Sequence, residues 1–474
     1  MSFSSPGFLF AFFPVFFLIY YAAPASARNA VLLVSSLAFY TIDGGYVTGV
    51  LVVSILVNQG IGRLLAGMRP GRARFGLLWL GIALNLVPLV HYKYWTFLVG
   101  VSHDALMPAG IQIMLAPGGI VLPAGISFFT FQGLSYLVDI YRGEIAAAPG
   151  LVSFGMYHTL FPQLIAGPIV RYIEIEDRVA QRPIALADVE AGILRFCWGL
   201  AKKIIIADSM GTLADRMFAL PPGQLGIDAA WVGALAYTLQ IYFDFSGYSD
   251  MAIGLGRMLG FKFPENFDLP YRSLSITEFW RRWHMTLSRW FRDYVYISLG
   301  GNRAGPVRTT INLFTVFLLC GLWHGAAYTF VVWGCYHGAL LVIERLARRR
   351  GRSRPLPAVL GWPVTLLLVV VGWVVFRAPT LGAAVAFLAA MAGFGHADAP
   401  VVVAAFLTPD KLVFFAIGAA LSVLPVGRVL GMVDLGSSAS ETAFAQRAAA
   451  LLLFGYSTVL IAANGFNPFI YFRF

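Results

Sequence analysis

A histidine lies within a long uncharged stretch of the sequence, where an ionisable side chain is costly. Between Arg308 and Glu344 there are 35 residues without Asp, Glu, Lys or Arg. His324 stands near the middle, in segment 321–326, which reads Gly-Leu-Trp-His-Gly-Ala. Histidine titrates near neutral pH and can take a proton from a reacting hydroxyl. We therefore expect His324 to be a general base; a histidine that only hydrogen-bonds a neighbouring helix is the alternative.

A second histidine belongs to a segment that is aromatic and basic together. Drawn as one helix, Ile276–Tyr294 places His284 on an apolar, Trp-rich face, so His284 should face protein. The other face carries arginines, which would anchor the helix at a bilayer surface or bind the phosphates of an anionic donor such as coenzyme A. The candidate phosphate ligands are Arg281, Arg282 and Arg289.

A third cluster places carboxylates and hydroxyls inside apolar sequence. Segment 242–250 reads Tyr-Phe-Asp-Phe-Ser-Gly-Tyr-Ser-Asp and includes Asp244, Ser246 and Tyr248. Such groups are expensive in hydrocarbon unless they are hydrogen-bonded. They could orient a catalytic histidine, bind substrate or tie broken helices together, and we favour the last role.

The motifs of several other reaction classes are missing from the sequence. There is no Gly-x-Ser-x-Gly elbow, no His-Glu-x-x-His, no phosphate-binding loop and no cluster with metal-ligand spacing. The three cysteines are scattered without Cys-x-x-Cys spacing. We therefore expect no metal and no bound cofactor, which leaves histidine-assisted group transfer.

The elements that must position these residues are membrane helices. The chain is 59% hydrophobic and 12% charged, whereas soluble domains carry about 25% charged residues. Continuous Leu, Val, Phe and Ala runs favour helices over a closed barrel. The fold class is therefore an all-α polytopic membrane protein, with about 11 transmembrane helices plus re-entrant or broken and interfacial helices.

Several apolar stretches cannot be single straight spans. The 35 residues between Arg308 and Glu344 would measure about 52 Å as one helix, longer than the bilayer is thick, so we expect a break at 321–326. Pro and Gly interrupt two earlier stretches, at Pro123, Gly125, Pro162, Gly167 and Pro168. Arg171–Gln181 is polar and is expected to be a loop.

The net charge of +11 comes from basic residues clustered between apolar runs. This pattern marks cytoplasmic loops rather than a nucleic-acid surface. The turn with Arg63 to Arg74 and the run Arg345 to Arg354 are both assigned to the cytoplasm, which places the N-terminus outside. Met1–Ala27 is interpreted as an uncleaved first span, with a cleaved signal peptide as the alternative.

Five motifs in order resemble the bacterial membrane-bound O-acyltransferases, and most closely their alginate O-acetylase branch. They are Pro-Ala-Gly-Ile-Ser-Phe-Phe-Thr-Phe-Gln (123–132), Phe-Pro-Gln-Leu-Ile-Ala-Gly-Pro-Ile-Val-Arg (161–171), Phe-Asp-Phe-Ser-Gly-Tyr-Ser-Asp (243–250), Trp-Arg-Arg-Trp-His (280–284) and Gly-Leu-Trp-His-Gly (321–325).

The resemblance implies a role for each of these motifs. His324 would be the catalytic histidine, acting as general base in a central tunnel that crosses the membrane, and His284 would hold the second active-site position. The expected domains are N-terminal transmembrane helices at 1–118, the catalytic core at 119–344 and C-terminal transmembrane helices at 345–474. The expected tunnel or substrate residues are Trp323, Trp280, Asp244, Ser246, Tyr248, Gln132 and Gln163.

The resemblance also implies an activity and its partners. Acetyl would pass from cytoplasmic acetyl-CoA, across the bacterial inner membrane, to a periplasmic acceptor or an SGNH-type acetyltransferase partner that O-acetylates an exopolysaccharide such as alginate. D-alanyl or peptidoglycan acyl transfer by the same fold is an alternative. From different classes, a polymer or solute transporter and a structural subunit of a secretion complex also stay open.

Overall fold

The computed structural model describes residues 2–109, 120–146, 148–303, 305–349, 357–395, 397–425, 441–465 and 467–470. Within these ranges the chain forms helices, turns and irregular segments, with no strand. The all-α prediction is therefore confirmed for the described residues. Two compact units divide the chain: unit 1 comprises Met1–Ala185 with Gly256–Pro264, and unit 2 comprises Leu186–Leu255 with Glu265–Phe474.

The described residues of unit 1 form nine α-helices and several short 3-10 and π-helical turns. The α-helices are α1 Phe13–Ala22, α2 Arg28–Gly44, α3 Thr48–Gly67, α4 Arg72–Leu89, α5 Trp95–Leu106, α6 Ile126–Arg142, α7 Leu151–Thr159, α8 Phe161–Leu164 and α9 Tyr172–Ala180. Helices α3, α4 and α6 pack together, and α2 packs on α7. Asn58 on α3 and Asn85 on α4 exchange side-chain amide hydrogen bonds of 2.9 and 2.8 Å across this core.

The helix starts in unit 1 follow the interruptions in the sequence. Helix α6 begins directly after Gly125, which has a φ of +73° and lies where a Cβ would approach the backbone carbon Cα of Ile165 to 2.9 Å. Glycine accepts this conformation without the penalty that other residues pay. Segment 151–170 breaks into α7, the short α8 and an irregular stretch, as the prolines predict.

The other α-helices among the described residues belong to unit 2, except that α12 ends in the part of the chain assigned to unit 1. They are α10 Leu186–Ala201, α11 Asp208–Phe218, α12 Ile227–Met258, α13 Ile276–Arg282, α14 Met285–Trp290, α15 Gly305–His324, α16 Tyr328–Arg349, α17 Ala358–Arg377, α18 Leu381–Met391, α19 Pro409–Val423 and α20 Glu441–Asn464. A π-helical turn, Phe291–Tyr296, follows α14. Helices α15 and α16 form an extensive hairpin, and α16 also contacts α13 and α17.

The long uncharged stretch breaks where the sequence predicts. Helix α15 ends at His324 and α16 begins at Tyr328, so the catalytic candidate is the last residue of a candidate span.

The predictions for two other segments are wrong. Ile276–Tyr294 is two short helices and a π-helical turn rather than one helix, and Arg171–Gln181 contains α9 rather than a loop.

Six helices of the described residues are long and apolar enough to cross a membrane, by length and composition. These candidate spans are Ala25–Gly67, Arg72–Leu106, Gly305–His324, Tyr328–Ala347, Ala358–Arg377 and Phe444–Ala463. The structure thus supports a multi-pass membrane protein, while the number of about 11 spans and the central tunnel stay predictions.

The division into three domains also stays a prediction. Its boundary at 118–119 lies outside the described residues, and so do the basic residues 350–354.

Candidate active site

His324 is enclosed by aromatic rings. Its imidazole lies edge-on to Trp333 of α16, with ring centroids 5.1 Å apart, and to Phe376 of α17 at 5.2 Å. The ring of Trp323, its chain neighbour, lies at 4.8 Å. Only 5% of His324 is exposed. Aromatic walls restrict water around the imidazole, which strengthens electrostatic interactions inside the site.

Trp323 joins the two histidines that the sequence singles out. The indole ring lies 5.9 Å from the imidazole of His284 and 4.8 Å from that of His324. On its other side, His284 meets the edge of Phe245 from α12 at 4.6 Å. The structure thus brings His284, Trp323 and His324 into one cluster in unit 2.

His284 occupies a strained turn between α13 and α14. Its φ of +43° and ψ of +54° are left-handed, and besides Leu269 it is the only non-glycine residue with positive φ in the described chain. This conformation costs roughly 1–2 kcal/mol for a residue with a Cβ. Two backbone hydrogen bonds hold the turn: Asp268 N–H donates to the Arg282 carbonyl at 3.0 Å, and Met285 N–H donates to the Asn266 carbonyl at 2.9 Å.

The imidazole of His284 is fixed by the side chain of Asn266. His284 Nδ1 lies 3.1 Å from Asn266 Oδ1, and the same oxygen accepts from the Thr286 hydroxyl at 2.9 Å and the Thr286 N–H at 3.3 Å. His284 Nε2 is buried and has no hydrogen-bond partner among the described residues. His284 lies outside the six candidate spans, and burial lowers its pKa to about 3. The imidazole is therefore neutral at physiological pH.

Helix α13, which leads into His284, is held by a carboxylate from α16. Glu344 accepts from the N–H groups of Ile276 at 2.6 Å and Thr277 at 3.1 Å, and from the Thr277 hydroxyl at 2.6 Å. A carboxylate at a helix N-terminus satisfies free N–H groups and the positive end of the helix dipole. On the same helix, Trp280 Nε1 donates to His337 Nδ1 of α16 at 3.4 Å. These contacts lock the His284 segment to the α15–α16 hairpin.

Asp244 belongs to a buried ion cluster rather than to the histidines. Lys203 Nζ lies 2.7 Å from Asp244 Oδ1 and 2.7 Å from Asp208 Oδ1. The second Asp244 oxygen accepts the backbone N–H of Ile470 at 2.7 Å. These contacts support the structural role that the sequence favours for Asp244.

The other predicted lining residues are buried in their own units. In unit 2, the Tyr248 ring lies tilted against that of Phe469 with ring centroids 4.6 Å apart, and Ser246 Oγ has no hydrogen-bond partner among the described residues. In unit 1, Gln132 lies on α6, and Gln163 of α8 donates to the Tyr157 carbonyl at 2.9 Å. The carbonyl oxygens of both glutamine side chains lack a partner within the described part of the chain.

The three arginines predicted to bind phosphate differ in their surroundings. Arg282 already pairs with Asp268 and Glu278, at 2.9 Å each. Arg281 is exposed, and Arg289 is partly buried on α14. An exposed guanidinium can bind phosphate in bidentate fashion, whereas Arg282 would first have to leave two carboxylates.

Sequence reasoning missed the residues that hold the two histidines. Asn266, Glu344 and Trp333 act through contacts between distant parts of the chain, for which the sequence carries no local signal. Among the described residues, no group of three His, Cys, Asp or Glu side chains could hold a metal ion. What the cluster offers chemically is the neutral imidazole of His284 and, beside it, the imidazole of His324 enclosed by aromatic rings.

Comparisons with known proteins identify the family of the chain. The family model of the membrane-bound O-acyltransferases matches residues 119–376, which contain both histidines. The chain is 41% identical, over the full length of both proteins, to a probable alginate O-acetylase of Azotobacter vinelandii. It is 46% identical to the Pseudomonas aeruginosa protein of that name, over 83% of this chain and 75% of the relative. A Helicobacter pylori peptidoglycan O-acetyltransferase is 35% identical over 82% of this chain and 80% of its own. The chain belongs to the membrane-bound O-acyltransferase family.

Proposed function

We propose that this protein is an O-acetyltransferase that takes acetyl from cytoplasmic acetyl-CoA and passes it across the bacterial inner membrane for O-acetylation of an exopolysaccharide of the alginate type. The observation that carries the proposal is the buried His324, at the end of a candidate span and one indole away from His284. The full-length similarity to alginate O-acetylases supports the choice of polymer.

His324 acts as the general base in this proposal. The acceptor hydroxyl gives its proton to the imidazole as its oxygen attacks the thioester carbonyl. A C–O bond forms, the C–S bond breaks, and the proton passes on to the departing thiolate of coenzyme A. A thioester is already activated, so ATP is not needed. A fixed imidazole supplies base and alignment together.

The donor is proposed to meet the protein at its cytoplasmic side. Arg281, which is exposed, and Arg289 flank the His284 turn in sequence and are the proposed phosphate ligands, whereas the guanidinium of Arg282 pairs with Asp268 and Glu278. On the periplasmic side we propose an SGNH-type transferase as the partner that receives acetyl. The basic turn Arg63 to Arg74 supports a periplasmic N-terminus.

The test is polymer acetylation in cells that lack the chromosomal copy and carry either wild-type protein or His324→Ala. We expect acetylated polymer with wild type and none with the variant, at equal membrane levels of protein. The matched control is His91→Ala, because His91 is exposed. Normal acetylation with His324→Ala would refute the assigned role. Loss of polymer export in every variant that loses acetylation would favour a transporter instead.

A further inference from the structure

We propose that Asn266 is a positioning residue that holds His284 in its Nδ1–H tautomer, so that Nε2 faces the substrate as a hydrogen-bond acceptor. The inference rests on the proposed acyl transfer, because it assigns a task to the second histidine of that site.

Hydrogen bonds to Thr286 and Ser249 fix the orientation of the Asn266 side-chain amide. The atom 3.3 Å from the backbone nitrogen of Thr286 must be an acceptor, because a backbone N–H can only donate. That assigns Oδ1 to the side facing Thr286 and His284. The amide nitrogen then faces Ser249 Oγ, to which it donates at 3.1 Å. Both polar atoms of the Asn266 side chain thus have a partner, and a flipped amide would place its NH2 group against the Thr286 N–H, which can only donate.

The orientation of Asn266 determines which nitrogen of His284 is protonated. Asn266 Oδ1 is an acceptor, so the imidazole nitrogen 3.1 Å away must carry a hydrogen. In a neutral imidazole the other nitrogen then has a lone pair and no hydrogen. Nε2 of His284 is consequently an acceptor. It cannot stabilise a developing oxyanion, which needs a donor.

The Nε2 atom of His284 lies in a buried position. His284 is completely buried, and its Nε2 has no hydrogen-bond partner in the part of the chain that the structure describes. Leaving a buried acceptor unsatisfied costs free energy, and in native proteins such atoms usually bond to water or ligand. Nε2 shares the cluster with Trp323, which adjoins His324. The group that satisfies it is an O–H or N–H of bound substrate.

The imidazole of His284 is surrounded by uncharged side chains. The elements packed on His284 contribute Phe245 from α12, Trp323 from α15 and Asn266, all uncharged. The charged groups of its own hairpin, Arg282 and Asp268, pair with each other at 2.9 Å. A carboxylate introduced at position 266 would therefore be a new charge beside Nδ1 and would favour the imidazolium.

The first experiment reads the tautomer directly. Nitrogen NMR spectra of protein labelled in histidine, with His284→Gln to assign the signal, should show a protonated Nδ1 and an unprotonated Nε2 in wild type. Asn266→Leu should shift this signal to a mixture of tautomers. An Nε2–H signal in wild type would overturn the proposal. This readout needs no activity, so it fails or succeeds independently of the proposed function.

The second experiment follows acetyl-CoA turnover against pH. Asn266→Asp keeps an acceptor for Nδ1–H but raises the pKa of His284, so its kcat/KM should fall at least about tenfold between pH 8.5 and 6 relative to wild type. Asn266→Leu should lose at least about tenfold at every pH. The control Ser249→Ala removes the other partner of Asn266 and should keep the wild-type profile. Flat, wild-type-like profiles for both Asn266 variants would overturn the proposal.

The kinetic constants also identify the group that donates to Nε2. A higher KM for acetyl-CoA in Asn266→Leu assigns the hydrogen bond to an amide N–H of the donor's pantetheine arm. An unchanged KM with a lower kcat assigns it to the hydroxyl-bearing acceptor. Either result supports an acceptor role for Nε2, whereas unchanged KM and kcat contradict it.

Discussion

Gly321 on α15 and Gly334 on α16 meet backbone to backbone. A Cβ built on Gly321 would lie 2.9 Å from the Cα of Gly334 and would clash with the carbonyl oxygen of Phe330, and one built on Gly334 would lie 2.5 Å from the carbonyl oxygen of Phe317. Small residues at such a crossing let two membrane helices pack at close range. This contact fixes α16, with Trp333, against the turn that carries His324.

The close crossing predicts that Gly321→Ala separates the two helices. We expect a loss of about 2 kcal/mol in stability from overpacking, together with reduced turnover because His324 shifts against Trp333. The control is Gly455→Ala on α20, where a Cβ would meet open space. Thermal unfolding of the solubilised protein measures the first effect and coenzyme A release the second. Equal behaviour of the two variants would contradict the account.

The carboxylate of Glu344 should contribute to both stability and turnover, because it caps helix α13. Glu344→Gln exchanges a charge-assisted cap of α13 for a neutral one, at an expected cost of about 1 kcal/mol. Turnover should fall as well, because α13 leads into the His284 turn. Glu190→Gln is the control, since Glu190 pairs with Arg447 at the surface, where ion pairs contribute little. If Glu190→Gln lowered stability and turnover as much as Glu344→Gln does, Glu344 would not have this role.

The Lys203 cluster predicts a non-additive double mutant. Lys203→Met leaves Asp244 and Asp208 without their shared cation and should destabilise the protein by about 3–5 kcal/mol. Adding Asp244→Asn removes one of the two uncompensated charges and should restore part of that loss. The free energies of unfolding of the two single variants and the double variant measure the coupling. Simple additivity would show that the ion pair is not formed.

Burial of His284 predicts a pH dependence of stability. Its folded pKa of about 3 lies below the unfolded value, which is about 6.5. The unfolded chain therefore binds more protons between these values, and the stability contribution of the neutral imidazole is lost as pH falls below about 6.5. Thermal unfolding at pH 7.5 and pH 5 should show a smaller drop for His284→Gln than for wild type. His91→Gln, at an exposed position, should drop as wild type does.

The sequence predicted the break at His324 because length and charge alone impose it: 35 uncharged residues exceed one bilayer crossing. It also placed His284 on a face that turns into the protein, and His284 is buried. The division of that segment into α13 and α14 was not predictable, because it depends on hydrogen bonds to Asn266 and Asp268 in a preceding irregular segment. Local spacing reports which residues share a face, but it does not report which distant backbone pairs with them.

The loop predicted at Arg171–Gln181 was wrong for a different reason, because the residues that stabilise the start of helix α9 are close together in the sequence. The Glu174 carboxylate accepts the backbone N–H of Arg171 at 2.9 Å, and this return contact from the third helical residue stabilises a helix start. The polar composition of Arg171–Gln181 favoured a loop and concealed that cap. For Arg282, in contrast, the ion pair with Asp268 bridges 14 positions and could not be inferred from a helical face.

The most direct test of the central claim is coenzyme A release from acetyl-CoA by inside-out membrane vesicles, which present the cytoplasmic side and retain the native acceptors. Coenzyme A release is compared among vesicles that contain wild type, His324→Ala or His91→Ala at equal protein levels. We expect release by wild type and His91→Ala, and a loss of roughly 100-fold or more with His324→Ala, the contribution expected of a general base. Wild-type release by a stably folded His324→Ala protein would contradict it.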